Sequence, residues 1–250
     1  FEQYENLTKV VMPDTVTSIG ASAFDGCRKL SDINLPANLT AIEEDTFKLC
    51  YGLTEIVIPH GVTTIGSYAF SDCTNLTSIT IPSTVKSVER GGFNSCNRLT
   101  DIYISDIAAW INIQFDANAR HRILDENNLN KTLYLNNEPI TALVIPNGVS
   151  EITPCTFYGC NFTSVAIPDS VTKIHDGAFA YCRSLTTVDI PKQVTMIGAS
   201  AFGNCTKLRT VTIGKNVTGI GAGAFRACTQ LQQITVLSRS VISPLRTVPL

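Results

Sequence analysis

Hydrophobic and polar residues alternate in short stretches that recur along the chain. In residues 76–82, LTSITIP, the alternation places Ile79 and Ile81 on one side and Ser78 and Thr80 on the other. Alternation with a period of two, together with a high content of Ile and Thr, predicts a β-strand whose apolar side faces a core. The proline that follows ends the strand because it has no N–H group to donate.

Two further stretches complete the repeating unit. VTTIG at residues 62–66 predicts a second short extended stretch that a glycine turn closes, and SYAFSDC at residues 67–73 predicts one tight helical turn on the opposite side. A single coil of this size has no core of its own, so neighbouring coils must stack and share one.

Three residue types recur with the same period. Nine of the eleven phenylalanines are 22 or 23 residues apart, with a single gap of 64 residues, and eight of the nine cysteines follow three residues after such a phenylalanine. A shared period in this range predicts a solenoid. The phenylalanines are Phe1, Phe24, Phe47, Phe70, Phe93, Phe157, Phe179, Phe202 and Phe225, and the cysteines are Cys27, Cys50, Cys73, Cys96, Cys160, Cys182, Cys205 and Cys228.

The patterns LxxIxIP and VTxIGxxAFxxC, nearly intact in residues 62–82, 171–191 and 194–213, resemble the BspA-like, or treponemal-type, leucine-rich repeat. The resemblance covers nearly the whole chain and implies an α/β solenoid of about ten right-handed coils. Such a solenoid is mostly β and turn with short helical turns, and has a parallel β-sheet on its concave face. The resemblance also implies a secreted or surface-displayed protein that binds or adheres rather than catalyses.

The chain is predicted to be one solenoid over residues 1–250, with an irregular enlarged coil at about 105–145. In this coil Asp106 precedes apolar residues at helical spacing, which predicts a capped helix. A polar stretch follows at residues 116–131, and LYLNNEPITALVIP at 133–146 predicts two strands joined by a polar turn. Trp110 is expected in the core, and the alternative is the wall of a pocket.

The positions of the repeat residues also lead to expectations about both ends of the chain. Phe1 already occupies the phenylalanine position of the repeat, so we expect the chain to begin inside a coil and to be a piece of a longer protein. The tail from Leu237 to Leu250 leaves the pattern and is expected to cover the last coil.

Composition excludes several classes of protein. Hydrophobic residues make up 44% of the chain, charged residues 16%, and the net charge is −2. These values argue against disorder and against nucleic-acid binding, and no apolar stretch is long enough to insert into a membrane. Charge is uneven along the chain, with a net −5 over residues 1–60 and +7 over residues 190–250. This uneven distribution of charge has two possible origins. Either the charge of solvated positions varies along the chain without a function, or the basic end binds an anionic glycan or partner.

The cysteines and histidines do not predict a catalytic or metal site. Cysteines that recur once per coil form a column at the ~4.8 Å strand spacing, which suits neither a disulfide nor tetrahedral zinc. We therefore expect buried, reduced thiols, with Cys155 nearer the surface. His60, His121 and His175 lie in different coils and have no recurring acidic or Ser partner. No catalytic residue, metal or other cofactor is predicted.

The outward strand positions predict a polar, hydroxyl-rich strip on the concave sheet. Tyr103 is the single aromatic among these positions in the regular coils, and the enlarged coil begins directly after its strand. We therefore place the centre of a binding site at Asp101 and Tyr103. The candidate ligand-binding residues are Asp32, Asn34, Glu55, Thr80, Asp101, Tyr103, Asp189 and Thr212.

These observations and the resemblance predict a non-enzymatic binding or adhesion module at the cell surface or outside the cell. Its expected partner is a protein or glycan on a host or neighbouring cell surface, which it contacts as a monomer through the concave sheet. A structural spacer or stalk that presents other domains is the alternative, and an enzyme is a more distant one.

Overall fold

The structure, a computed structural model, describes residues 1–115 and 130–237. The chain forms two compact units: unit 1 comprises Phe1–Ile140 and Gly159–Asn161, and unit 2 comprises Thr141–Tyr158 and Phe162–Leu250. Most of the polar stretch at 116–131, including His121, and the tail after Leu237 lie outside the described residues. The single solenoid over the whole chain stays a prediction.

The described part of the chain consists of short strands, turns and a five-residue helix. In chain order the elements are β1 (Lys9–Val10), β2 (Asp32–Ile33), β3 (Ala41–Ile42), β4 (Glu55–Val57), β5 (Thr64–Ile65), β6 (Ser78–Ile81), β7 (Ser87–Val88), β8 (Asp101–Ile104), α1 (Ile107–Ile111), β9 (Gln114–Phe115), β10 (Thr132–Leu135), β11 (Glu138–Pro139), β12 (Ala142–Val144), β13 (Glu151–Ile152), β14 (Ser164–Ala166), β15 (Lys173–Ile174), β16 (Thr187–Ile190), β17 (Met196–Ile197), β18 (Thr210–Ile213), β19 (Gly219–Ile220) and β20 (Gln233–Val236).

Regular coils contribute one strand to a main sheet and one to a minor sheet. In unit 1 the main sheet has the order β11-β10-β8-β6-β4 and the minor sheet β3-β5-β7-β9, while β1 and β2 form a separate pair. In unit 2 the main sheet is β12-β14-β16-β18-β20 and the minor sheet is β13-β15-β17-β19. Apart from the antiparallel pair β10–β11, the strands pair in parallel. The strand pattern and the solenoid fold class predicted from the sequence are confirmed.

The phenylalanines form a continuous stack inside each unit. From Phe1 to Phe93 in unit 1, successive ring centroids are 5.3 to 5.7 Å apart. From Phe157 to Phe225 in unit 2 they are 5.1 to 5.5 Å apart. Leucine and isoleucine side chains of the strands complete the core; Leu76, for example, is fully buried. The apolar side of the alternating pattern therefore faces inward, as predicted.

The nine cysteines are free thiols, and all but Cys155 are buried. Seven of these eight buried thiols donate to the carbonyl of the repeat phenylalanine one coil earlier, as Cys73 Sγ does to Phe47 O at 3.1 Å. Burial raises the pKa of the Cys96 and Cys160 thiols to about 12. These groups therefore stay protonated at neutral pH and act as small apolar residues and weak donors, which confirms the prediction.

The segment around each phenylalanine differs from the single helical turn that SYAFSDC suggests. It forms consecutive turns, and the residues two positions before and two positions after the phenylalanine both adopt positive φ. In one coil these are Tyr68 at φ 54° and Asp72 at φ 60°. Residues in the left-handed region interrupt the i to i−4 hydrogen bonds of a helix, so none forms here.

The enlarged coil contains the predicted capped helix. The Asp106 carboxylate accepts a hydrogen bond from the Ala109 N–H at 2.6 Å, which caps α1. Trp110 is 1% exposed, which confirms its core role. β10 and β11 form a hairpin in which Asn136 and Asn137 both have positive φ, as a type I′ turn requires. β12 follows, so the segment contains three strands where the sequence predicted two.

Lys131, which ends the stretch expected to be polar, is completely buried in unit 1. It forms a parallel bridge with Cys160, and its N–H donates to Gly159 O at 3.0 Å. Its ammonium charge acts against the effect of burial on the thiol pKa of both Cys96 and Cys160. Although the stretch is polar in composition, backbone pairing with 159–161 draws this residue into the coil.

Candidate binding face

The side of each main sheet that points away from the core is called the outward face. In unit 1 the strand register arranges its side chains in two rows that run across the strands. The first row is Glu55, Ser78, Asp101 and Thr132, and the second is Val57, Thr80, Tyr103, Tyr134 and Pro139. Four of the candidate residues therefore share one sheet: Glu55, Thr80, Asp101 and Tyr103.

Tyr103 has an aromatic neighbour that sequence reasoning missed. The rings of Tyr103 and Tyr134 stack with centroids 4.4 Å apart and an interplanar angle of 17°. Both side chains are half-buried, on a face otherwise made of shorter side chains. Tyr134 lies 31 residues after Tyr103 and so is out of phase with the repeat. The alternation in LYL was its one signal in the sequence.

Asp101 is held in place by two neighbouring hydroxyl groups. Thr100 Oγ1 donates to Asp101 Oδ2 at 3.1 Å, and the Tyr134 hydroxyl also donates to this carboxylate. Partial burial, together with the charge and hydrogen bond of Asp101, raises the pKa of Tyr134. Tyr134 therefore remains a protonated donor at neutral pH, and Asp101 keeps acceptor capacity for a further group.

Asp32 and Asn34 lie apart from this group, in the β1–β2 region. Asp32 forms an ion pair with Lys9 at 2.6 Å. Asn34 accepts from the Met12 N–H at 3.1 Å and donates to the Met12 carbonyl at 2.9 Å. These two side chains link adjacent coils, so they have a structural role here.

Asp189 and Thr212 lie in unit 2, where they are register partners on β16 and β18. The outward face of this unit is short and polar on its central strands, with Thr187, Thr210 and Thr235 beside them. Val144, 61% exposed, adds an apolar position on β12. The structure brings Asp189 and Thr212 together with each other but assigns them to a different unit from Tyr103.

Two polar features lie on the minor sheets. In unit 2, Glu151 contacts His175 Nε2 at 2.7 Å and Lys173 Nζ at 3.0 Å, so His175 has an acidic partner that the sequence did not reveal. The hydrogen bond from His175 and that from Lys173 lower the pKa of Glu151. In unit 1 a recess of about 290 Å³ is lined by residues that include Ser67, Glu89 and Gln114.

Within 1–115 and 130–237, no group of three or more His, Cys, Asp or Glu side chains is placed to hold a metal ion. No helix in these ranges has the length and apolar character needed to cross a bilayer.

Solved structures share this architecture. A leucine rich cell surface protein from Faecalibacterium prausnitzii is 27% identical, with a TM-score of 0.50; the match covers 96% of this chain and 76% of that one. The pneumococcal vaccine antigen PcpA is 17% identical with a TM-score of 0.50, covering 93% of this chain and 69% of that one, and shares the fold alone. No curated protein matches the chain.

The repeat family is shown by the sequence match. The family described as BspA type leucine rich repeat region matches residues 1–119 and 127–243, with six copies of the repeat. The match covers most of the chain and agrees with the phase of its phenylalanines and cysteines. The chain therefore belongs to the BspA-type leucine-rich-repeat family.

Proposed function

We propose that this chain is a non-enzymatic binding module of the adhesion type, secreted or displayed on a cell surface. It contacts a protein or glycan on a host or neighbouring cell through the outward faces of its main sheets, and it acts as a monomer. Two comparisons support this role: its family is typically a binding scaffold, and a structure 27% identical to it is a cell surface protein.

The observation that carries the proposal is the Tyr103–Tyr134 pair on the outward face of unit 1. Half-exposed aromatic side chains in a row of Thr and Val add nothing to the core of the sheet, which the opposite side of each strand supplies. Tyrosine is enriched where proteins bind partners because it provides a large contact area and a polar tip. A spacer has no need of such a pair, so binding is favoured over the spacer or stalk alternative.

An adhesion assay with matched arginine substitutions tests the proposal. The purified chain, coupled to beads, is applied to cultured epithelial cells and to immobilised extracellular-matrix proteins. Thr80→Arg and Thr212→Arg place a bulky charge on the outward faces of units 1 and 2. Ser18→Arg, at an exposed site outside the main sheets, and Met196→Arg, on the minor sheet of unit 2, are the controls.

We expect at least one outward-face variant to lose adhesion while both controls bind as the unmodified chain does. Adhesion that is unchanged in all four variants, or no adhesion of the unmodified chain, contradicts the proposal and favours the spacer. Circular dichroism melts of all variants establish that they are folded.

A further inference from the structure

The tyrosine stack on the outward face of unit 1 leaves one aromatic face free. Neighbouring strands are about 4.8 Å apart, and the Tyr103 and Tyr134 centroids are 4.4 Å apart, so the stack runs across the strands. Tyr134 covers one face of the Tyr103 ring. The residue in register on the other side of Tyr103 is Thr80, so the second face of the ring is directed over Thr80.

On the side of Tyr103 toward β6 and β4, the outward face carries short side chains in this row. Thr80 is in register with Val57 on β4, and Val57 is 63% exposed. The Tyr103 ring therefore stands as a wall beside a low floor formed by Thr80 and Val57. This arrangement is an open step about one aromatic ring in height, called here the tyrosine step.

Polar groups of the first row lie next to the tyrosine step. Asp101 lies two residues before Tyr103 on the same face, fixed by the hydroxyl groups of Thr100 and Tyr134. Ser78 and Glu55 continue this row across β6 and β4. The step thus combines an aromatic wall with two carboxylates and a hydroxyl group, all on one side of the sheet.

We propose that the tyrosine step binds a neutral sugar ring, packed against the free face of Tyr103, with its hydroxyl groups donating to Asp101 and Glu55. A pyranose has an apolar face of C–H groups and a rim of hydroxyl donors, which matches a wall beside fixed acceptors. The inference rests on the proposed function and narrows its partner to a glycan.

Charge and shape distinguish this ligand from others. Sialylated or sulfated sugars carry negative charge, which Glu55 and Asp101 repel. An apolar anchor from a protein partner needs an enclosed pocket to be desolvated, and the step is open on the side of Val57. A small neutral ring needs one aromatic face and a few acceptors, and the step provides both.

The test uses the full 250-residue chain. An array presents neutral glycans that end in galactose, glucose, mannose, fucose or N-acetylhexosamine beside their sialylated and sulfated counterparts, and saturation-transfer NMR follows with the matching methyl glycosides. Tyr103→Ala removes the wall, Tyr103→Phe keeps it, and Asp101→Asn removes the charged acceptor. Tyr51→Ala is the control, because Tyr51 is a half-buried tyrosine outside the strands of unit 1.

We expect binding of a neutral glycan that Tyr103→Ala weakens at least about tenfold, equivalent to 1.4 kcal/mol. Asp101→Asn weakens it several-fold, while Tyr103→Phe and Tyr51→Ala bind as the unmodified chain does. Binding of no neutral glycan, of anionic glycans alone, or equal binding by Tyr103→Ala overturns the inference.

The adhesion assay separates this failure from that of the proposed function. Suppose that Thr80→Arg abolishes adhesion to an enzymatically deglycosylated protein and that the array shows no neutral glycan. The proposed binding function is then supported, and the inference of a sugar ligand is rejected. If neither Thr80→Arg nor Thr212→Arg affects adhesion, the proposed function itself fails.

Discussion

At the scale of single residues, the spacing of phenylalanine and cysteine has a hydrogen-bonding reason. The Phe24 carbonyl accepts from the Cys27 N–H of its own coil at 3.1 Å and from Cys50 Sγ of the next coil at 3.1 Å. A carbonyl has two lone pairs, and both are used here inside an apolar core. Cysteine suits this position because it donates to the carbonyl yet packs as a small apolar residue.

The core assignment predicts unequal costs for two substitutions in unit 2. Phe202→Ala removes a fully buried ring stacked between Phe179 and Phe225, and should cost about 3 to 5 kcal/mol. Thr212→Ala, on the outward face, should cost less than about 1 kcal/mol. Urea melts followed by circular dichroism measure both, and similar losses would mean that the inward and outward positions are misassigned.

The thiols provide a second prediction at this scale. With a small thiol reagent at pH 8 and no reductant, native protein should label first at Cys155, because burial keeps thiols such as Cys96 and Cys160 protonated and covered. After denaturation nine thiols should react. Mass spectrometry locates the label, and fewer than nine reactive thiols in denaturant would reveal disulfides.

At the scale of elements, the turns were the part of the repeat that the sequence described least well. The two positions with positive φ, two residues before and two residues after the repeat phenylalanine, are occupied by residues as different as Tyr68 and Leu49. No regular glycine pattern therefore predicts them. The strands were predictable because their alternation of apolar and polar residues follows directly from which side chains are buried. The conformation of the turns depends instead on contacts with the neighbouring coil, such as the hydrogen bond from the Tyr68 N–H to Arg90 O at 2.8 Å. Such contacts cannot be predicted from the local sequence.

A matched pair of glycine substitutions tests the left-handed turn. Ala227 has φ 55° and is exposed, so Ala227→Gly removes a backbone strain of about 1 to 2 kcal/mol and should raise stability by up to about 1 kcal/mol. Ala222 is also exposed but lacks positive φ, so Ala222→Gly should lower stability by about 0.5 to 1 kcal/mol. Melts that shift both variants in the same direction would contradict the turn assignment.

The Glu151 cluster on the minor sheet of unit 2 predicts a pH dependence. His175, followed by Lys173, lowers the pKa of the folded Glu151 below 4.5, so the cluster stabilises the fold above that pH and loses the effect as pH falls through the folded pKa. Glu151→Gln should therefore be less stable than the unmodified chain at pH 7, by a small amount because these side chains are partly exposed. The difference should shrink as the melts are taken from pH 7 into acid and Glu151 becomes protonated, and a gap that does not change with pH would rule the linkage out.

At the scale of the whole molecule, the repeat period decided what was predictable. Asp101 and Tyr103 were identified because they keep the phase of the strands, whereas Tyr134 follows a connection of irregular length and was invisible to that phase. The burial of Lys131 is likewise not visible in the repeat, because it depends on pairing with residues 159–161, far along the chain. Periodicity thus predicts the regular coils, while the candidate site forms where the regularity ends.

The distribution of charge gives the last prediction. Five bases and no acids occupy residues 190–237, and Lys207, Arg209 and Lys215 among them are exposed. If this surface meets an anionic glycan, the chain should be retained on a heparin column and elute with rising salt, because charge pairing is screened. Arg209→Glu should then elute at clearly lower salt than Lys86→Glu, which makes the same change of charge at an exposed site in unit 1. Equal elution of the two variants would instead show that the excess of basic residues in this part of the chain forms no anion-binding surface, and would leave the outward faces of the main sheets as the binding surfaces proposed for this chain.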